Sequence, residues 1–167
     1  MLIGSKMTKN STMQAPAPSK ILSRLDCALV YTPIDKDVFD KKIVVGVCMH
    51  NSVDTIRKCL ISIMEQDIFS SDVAIVLLDD SSTDNWKESI QDFLLFPNIL
   101  VISANAGTPS RARNTILDFA DINFPNLQWV ARLDSDDYLS SPQALSTMCQ
   151  AGEKNNAKYV LGGNNLT

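Results

Sequence analysis

The chain has 167 residues, of which 45% are hydrophobic and 20% are charged, so it is long enough and apolar enough to form one domain with a core. Its 15 Lys and Arg against 19 Asp and Glu give a net charge of −4. This balance argues against nucleic acid as a partner, because sequence-independent binders need a basic face. No apolar run approaches the roughly 20 residues of a transmembrane segment, and the first residues do not resemble a signal peptide. We therefore expect a cytoplasmic protein, with any membrane association peripheral and at the cytoplasmic face.

The first 41 residues carry only a weak structural pattern. Residues 1–20 are polar and include Ala15-Pro16-Ala17-Pro18, which is typical of a flexible tail. Apolar residues return over 21–41, where a short helix or lead-in segment would pack on the domain that follows. We place that domain at residues 42–167.

From residue 42 onward, the hydrophobic pattern alternates between strands and helices. Continuous apolar runs, rich in β-branched residues, predict buried strands at 43–48, 73–78, 99–102, about 128–133 and 159–161. Helices are predicted to begin at Ser52, at about Asp84, at Thr108-Pro109 and at Ser141-Pro142, and the second is expected to end near Leu95. This alternation predicts an α/β fold, a mostly parallel sheet with helices on both faces. In such sheets, ligands bind at the carboxyl ends of the strands.

Polar residues follow each of the first four predicted strands. They are His50-Asn51, Asp79 to Asp84, Asn105-Ala106-Gly107 and Asp134 to Asp137. One such loop would be weak evidence, because Asp and Ser also serve as helix caps and turn residues. Four of them at one edge of a sheet favour a binding site.

The loop after the fourth strand concentrates negative charge in Asp134, Asp136 and Asp137. Three carboxylates within four residues repel one another unless a positive group lies among them. Carboxylate oxygens, together with water and substrate phosphates, suit Mg²⁺ or Mn²⁺. The alternative is that Asp136 or Asp137 only caps the next helix or turn. An EF-hand is excluded, because its glycine and distal glutamate are absent.

Two other loops suit a nucleotide. Gly107 precedes a helix N-terminus, where free N–H groups favour an anion, and either Arg111 or Arg113 would add positive charge. Asp79 and Asp80 could accept hydrogen bonds from a ribose hydroxyl or a base N–H, or could be solvated turn residues. Neither a GxGxxG nor a GxxxxGK[ST] motif occurs, which disfavours a Rossmann dehydrogenase and a P-loop NTPase.

His50 is the only histidine, so any catalytic Ser or Cys would need it as a base. Cys48 lies two residues away on the same strand face, but it belongs to an apolar run. We favour a pocket-lining role for His50 over a Cys-His dyad. The four cysteines have no CxxC spacing, which favours buried reduced thiols over disulfides or zinc ligands.

Taken in order, these segments resemble the motifs of the family 2 glycosyltransferases of the GT-A fold. The segments that carry the resemblance are Val45-Gly46-Val47-Cys48-Met49-His50-Asn51, Leu78-Asp79-Asp80-Ser81-Ser82-Thr83-Asp84, Asn105-Ala106-Gly107 through Ala112-Arg113-Asn114, and Leu133-Asp134-Ser135-Asp136-Asp137-Tyr138-Leu139. The resemblance covers about residues 42–162. It implies a truncated Rossmann-like domain that binds a nucleotide-sugar.

The resemblance also implies roles for individual residues. Those expected to bind the nucleotide are Met49, His50, Asn51, Asp79, Asp80, Gly107, Arg113 and Asp134, with Asp80 contacting the base. Those expected to hold Mn²⁺ or Mg²⁺ on the donor diphosphate are Asp134 and Asp136, with Asp137 adjacent. The chain departs from the family pattern in two segments, since Cys48-Met49-His50 replaces a proline-threonine-tyrosine and Ser81 replaces a frequent glycine.

The resemblance implies a metal-dependent, inverting glycosyltransferase of the hexosyltransferase type, acting in glycan or polysaccharide synthesis. A nucleotide-sugar, expected to be a UDP-sugar, would glycosylate a hydroxyl of a glycan, lipid-linked or protein acceptor. The family's acceptor half and catalytic base lie beyond the metal motif, so we expect the base to lie outside this chain, which has Glu153 as its only later carboxylate candidate. The alternatives are a non-catalytic nucleotide-sugar-binding module and a sugar-nucleotide pyrophosphorylase, and the lack of a GxGxR-type loop disfavours the latter.

Overall fold

The computed structural model of the chain describes residues 3–6, 27–32 and 36–163. Within these residues the backbone forms one seven-stranded sheet. Its strands are β1 (Ile3–Lys6), β2 (Cys27–Tyr31), β3 (Ile43–Met49), β4 (Val73–Asp80), β5 (Ile99–Ala104), β6 (Trp129–Asp134) and β7 (Tyr159–Leu161). The helices are α1 (Ile56–Met64), α2 (Phe69–Asp72), α3 (Trp86–Ser89), α4 (Pro109–Asn123) and α5 (Ala144–Lys154), with 3₁₀ turns at Lys36–Asp40 and Phe93–Leu95.

The centre of the sheet is parallel and its edges are antiparallel. The strand order is β2-β5-β4-β3-β6-β1-β7, in which β4 pairs in parallel with β5 and β3, and β3 pairs in parallel with β6. β2 runs antiparallel to β5, and β1 lies antiparallel between β6 and β7. The carboxyl ends of the parallel strands β3 to β6 therefore lie together at one end of the sheet, as the sequence predicted.

Both faces of the central strands are covered. Val45, Val47 and their face-mates pack against α1 and α5, whereas Val44 and the residues on its face pack under α4. Gly46 allows α4 to approach closely, because a Cβ at this position would lie 2.5 Å from Cγ2 of Ile116. The layered α/β architecture with helices on both faces is confirmed, and the five predicted strands are present.

Several predicted elements differ from the structure. Residues 3–6 form a strand rather than part of a flexible tail, and the rest of that predicted tail lies outside the described residues. The lead-in over 21–41 contains β2 and a 3₁₀ turn. Both depend on pairing with distant strands or packing on the core, which local sequence does not report.

The predicted helix from Asp84 to Leu95 is wrong in length. α3 covers only Trp86–Ser89, and a 3₁₀ turn follows. The Oγ of Ser89 donates to the carbonyl of Trp86 at 2.7 Å, which competes with regular helical bonding. Pro97 then disfavours a helical residue before it. The helices predicted to begin at Ser52 and Ser141 begin a few residues later, at Ile56 and Ala144.

The longest helix within the described ranges, α4, has 15 residues. Across the part of the chain that the structure describes, no helix is long and apolar enough to cross a membrane.

Candidate functional site

A cavity of about 450 Å³ opens between the carboxyl ends of the parallel strands and the first turns of α4. Its lining residues are Cys48, Met49, His50, Asp80, Ser81, Asn105, Gly107, Thr108, Pro109, Ala112, Arg113, Asp134 and Asp136. All four of the polar loops singled out in the sequence contribute to this wall. The fold therefore brings distant motifs to one place.

Most of the predicted nucleotide-binding residues lie in this wall, but two do not. Asn51 and Asp79 are absent from the lining, and their side chains are used within the loops. Asn51 adopts a left-handed backbone with φ of 51°, and its Oδ1 accepts the Thr83 N–H at 2.8 Å. Asp79 accepts the Ser82 N–H at 2.9 Å, and the Ser82 Oγ in turn accepts the Asn51 N–H at 3.0 Å. These contacts lock the loops after β3 and β4 together.

His50 lines the cavity with a defined orientation. Its Nδ1 lies 2.7 Å from the carbonyl oxygen of Asp80, and its Nε2 lies 3.2 Å from the Asn51 Nδ2. Because the Asn51 amide donates, Nε2 accepts and Nδ1 carries the proton, a tautomer assigned from the hydrogen bonds. Both ring nitrogens are thus occupied, which leaves no free nitrogen to activate a thiol. Burial raises the pKa of Cys48 to about 11, so the Cys-His dyad is disfavoured.

Asp80 organises the neighbouring loop as well as lining the cavity. Its Oδ1 accepts the N–H of Ala106 at 2.6 Å and that of Gly107 at 3.3 Å. Gly107 has a φ of 69°, a left-handed conformation that favours glycine. The carboxylate therefore holds the turn that leads into α4.

The first turns of α4 carry one arginine into the site. Thr108 caps the helix by accepting the Arg111 N–H at 3.4 Å, and Pro109 follows at the first helical position. Arg113 lines the cavity, whereas Arg111 is exposed outside it. This agrees with the expectation that only one of the two arginines faces the site.

Arg113 forms an ion pair with Asp134, the first carboxylate of the loop after β6. Its Nη2 lies 2.8 Å from both carboxylate oxygens of Asp134, and the pKa of Arg113 is raised by that hydrogen bond. The Nε of Arg113 is buried and has no hydrogen-bond partner among the described residues. The pair places one positive and one negative group side by side in the cavity wall.

The remaining carboxylates of the motif are arranged differently. Asp136 is exposed at the cavity wall, and the structure gives its side chain no hydrogen bond or ion pair in residues 36–163. Asp137 lies outside the wall, and its N–H donates to the Asp134 carbonyl in a turn at 3.0 Å. The described residues contain no group of three or more His, Cys, Asp or Glu side chains that could hold a metal ion. Mg²⁺-type ions commonly use one or two carboxylates and complete their shell with substrate phosphates, so this donor set fits an ion shared with a diphosphate.

Ser81 and Asn105 line the cavity, although the sequence did not identify them as contact residues. Ser81 has a φ of 59° and donates to the carbonyl of Ala104 at 3.2 Å. The left-handed backbone explains why the resemblance showed a frequent glycine at this position. Asn105 could have been found from its place between β5 and the glycine turn.

Residues 44–165 match the family model described as glycosyl transferase family 2. The chain belongs to glycosyl transferase family 2. This family 2 chain is 30% identical over 124 residues to a poly(ribitol-phosphate) beta-glucosyltransferase of Bacillus spizizenii, which covers 72% of the chain and 19% of the relative. It is 27% identical over 124 residues to the poly(ribitol-phosphate) beta-N-acetylglucosaminyltransferase TarP of Staphylococcus aureus, covering 73% of the chain and 36% of the relative.

The fold of this family 2 chain is that of the GT-A glycosyltransferases. The structure of S. aureus TarS 1-349 in complex with UDP superposes with a TM-score of 0.59 at 26% identity. The superposition covers 69% of this chain and 33% of the TarS chain. The chain thus spans well under two thirds of the length of the relatives described here.

Proposed function

We propose that this chain binds the nucleotide-sugar donor of a metal-dependent family 2 glycosyltransferase, with UDP-sugar as the donor. The observation that carries the proposal is the meeting of Asp80, Arg113 and Asp136 around one cavity of about 450 Å³. A hydrogen-bond acceptor, a guanidinium and an exposed carboxylate then lie where one nucleoside diphosphate can reach all three. The structure of TarS in complex with UDP supports uracil as the nucleotide base.

The proposed donor lies across the cavity in two parts. The nucleoside lies near Met49, His50 and Asp80, where an oxygen of the Asp80 carboxylate accepts a base N–H. The diphosphate lies near the first turn of α4, where Arg113 contributes positive charge.

Asp136 and Asp134 would hold Mn²⁺ or Mg²⁺ against the diphosphate, and Asp137 would support that loop through its turn. When bound, the ion supplies Lewis-acid stabilisation of the charge on the departing diphosphate. Because Arg113 is paired with Asp134, its guanidinium lies beside that carboxylate. The arginine therefore stabilises leaving-group charge from the helix side of the cavity.

The proposed reaction is a single displacement with inversion at the anomeric carbon. The acceptor hydroxyl forms the new glycosidic bond as the bond to the diphosphate breaks, and a base removes the hydroxyl proton. Glu153 does not supply that base, because it lines a different cavity together with Lys42 and Asp72. We propose a glycan or polysaccharide hydroxyl as the acceptor, in keeping with the polymer-modifying names of the relatives.

Calorimetric titration with UDP, GDP and dTDP, each in Mn²⁺ and in EDTA, tests this proposal. We expect UDP to bind best, and we expect EDTA or the substitution Asp136→Asn to weaken binding about tenfold or more, as the loss of a charge-assisted contact does. The matched control is Asp118→Asn, which neutralises an exposed carboxylate on α4 outside the cavity. The melting temperature of Asp136→Asn should equal that of the wild type, since its carboxylate is exposed.

A UDP affinity that changes neither in EDTA nor in Asp136→Asn would contradict the proposed donor site. Incubation of UDP-sugar with candidate acceptors separates the other functions. Transfer supports the enzyme, binding without any turnover supports a non-catalytic module, and release of pyrophosphate would identify a pyrophosphorylase.

A further inference from the structure

Two buried polar side chains contact the segment that follows the carboxylate loop, the loop of Asp134, Asp136 and Asp137 after β6. Ser62, on α1, is 7% exposed and Gln66, just after α1, is 4% exposed. Among the described residues, the only other buried polar side chain is Asn98. Buried polar groups are costly unless they are hydrogen-bonded, so each of these three needs a structural reason.

Gln66 uses its amide to fasten the segment that follows the carboxylates. Its Nε2 donates to the carbonyl of Ser141 at 2.8 Å and to that of Ser62 at 3.0 Å. Its Oε1 accepts the N–H of Leu145 at 3.0 Å. Leu145 lies in the first turn of α5, and the residue before that helix, Gln143, makes no side-chain cap. Gln66 therefore replaces the missing cap of α5 from another part of the chain.

Ser62 fastens the same segment closer to the carboxylates. Its Oγ accepts the N–H of Leu139 at 3.0 Å and donates to the carbonyl of Cys59 at 2.7 Å. Leu139 is three residues beyond Asp136. The backbone N–H of Asp67 adds a further contact, to the carbonyl of Pro142 at 2.9 Å.

These contacts restrict the path of the loop from both ends. Asp134 is fixed at its start as the last residue of β6, and Leu139 is fixed at its other end by Ser62. Residues 135–138, which include Asp136 and Asp137, lie between these two fixed points. The Oγ of Ser135 lies 2.8 Å from the Oγ of Ser52, which ties the loop to the neighbouring strand end as well.

We propose that Gln66 and Ser62 are positioning residues that hold the loop of Asp136 in the conformation that binds a metal-bridged diphosphate. This inference rests on the proposed function. The hydrogen bonds of Gln66 and Ser62 reach the segment after β6 and α1, and none reaches the loops of His50 or Asp80. Their loss should therefore weaken the metal-dependent part of binding and spare the contacts to the nucleoside.

The test compares UDP affinity in Mn²⁺ and in EDTA for the wild type, Gln66→Met and Ser62→Ala. We expect the gain in affinity from Mn²⁺ to fall by about tenfold in Gln66→Met, and by less in Ser62→Ala, as for other groups that support metal ligands. The affinity in EDTA should stay unchanged. Gln66→Glu retains the acceptor for Leu145 but sets a carboxylate oxygen against the carbonyls of Ser62 and Ser141, so it should lose at least as much of the Mn²⁺ gain as Gln66→Met.

Asn98→Ala is the matched control. Asn98 is also 7% exposed and its Nδ2 donates to the carbonyl of Phe69 at 3.0 Å, away from the cavity. It should lower the melting temperature and leave the Mn²⁺ gain intact. If Gln66→Met unfolds, Ser62→Ala carries the test alone.

The inference is overturned if both variants keep the wild-type Mn²⁺ gain, or if they lose affinity equally in Mn²⁺ and EDTA. If the wild type itself shows no Mn²⁺ gain, the proposed metal site fails first and the inference falls with it. A wild-type gain that survives in Gln66→Met and Ser62→Ala would remove only the positioning role.

Discussion

The two sides of the cavity use their polar residues in different ways. On the braced side, residues 50–53 and 79–84 bond to one another, because Asn51 and Asp84 each accept a backbone N–H from the other loop. Asp79 accepts the N–H of Ser82 within its own loop. On the carboxylate side, residues 134–137, Asp136 makes no such contact within the described part of the chain. Similar clusters of Asp and Ser thus have different purposes at the ends of β4 and β6, the two strands that flank β3.

The difference shows what a polar motif means in this fold. A strand that ends at a sheet edge leaves backbone groups that need partners, and nearby side chains satisfy them first. A carboxylate oxygen that lines the cavity and is left over after that requirement is available to a ligand. The Asp84 carboxylate, which accepts the Val53 N–H at 2.8 Å, belongs to the first kind, and Asp136 belongs to the second.

The largest effect on stability is expected from Asp80→Ala. This substitution leaves the N–H groups of Ala106 and Gly107 without their acceptor, and charge-assisted bonds of this kind contribute about 2–3 kcal/mol. Urea unfolding should show the loss, and Asp80→Asn, which keeps an acceptor oxygen, should show a smaller one. A stability equal to that of the Asp118→Ala control would break the comparison between the two sides.

An intermediate effect is expected from Asn51→Ala. Alanine removes the bond to Thr83 and adopts the left-handed backbone less readily, for a combined cost of about 1–2 kcal/mol. Asn51→Gly separates the two causes, because glycine keeps the backbone conformation and loses the bond. Chemical unfolding of all three proteins measures this, and a wild-type midpoint for Asn51→Ala would mean that the loops are not braced by this residue.

The smallest effect on stability at neutral pH is expected from Cys48, which lines the cavity. Burial raises its pKa from 9.0 to about 11, so the folded protein keeps the thiol proton at a pH where the unfolded chain loses it. Stability should therefore be full below about pH 9 and fall as the pH rises toward 11. Cys48→Ala should reduce the slope of the unfolding free energy against pH over this range. Cys59 and Cys149, whose burial raises their pKa to about 12 and about 11, keep part of the slope in that variant.

The sequence predicted the parallel centre of the sheet because its strands are buried on both faces and read as continuous apolar runs. It did not predict β1 or β2, whose few residues become strands only by pairing with β6 and β5. The helix predicted from Asp84 to Leu95 was too long and began too early, because Asp84 serves a distant N–H instead of capping the helix. Such contacts join residues far apart in the chain and leave no local pattern.

For the site, the sequence identified the loops, and the resemblance identified most of the residues that line the cavity. It did not distinguish Asn51 and Asp79, which hold loops, from His50 and Asp80, which also face the cavity. That distinction depends on side-chain direction at the strand ends. Contact of the remaining residues with a nucleotide or a metal stays a prediction.

The place of β1 in the sheet bears on the order in which the protein assembles. Ile3 pairs with Arg132 on one side and with Leu161 on the other, so the first of the described strands lies between the last two. During synthesis, β1 cannot pair with β6 until β6 has been made. β7 cannot pair with β1 until β1 has docked on β6. Until then β6 is an open edge, a hazard for aggregation that grows with the delay. The strand that leads into Asp134 is thus protected late, by residues that lie far earlier in the chain.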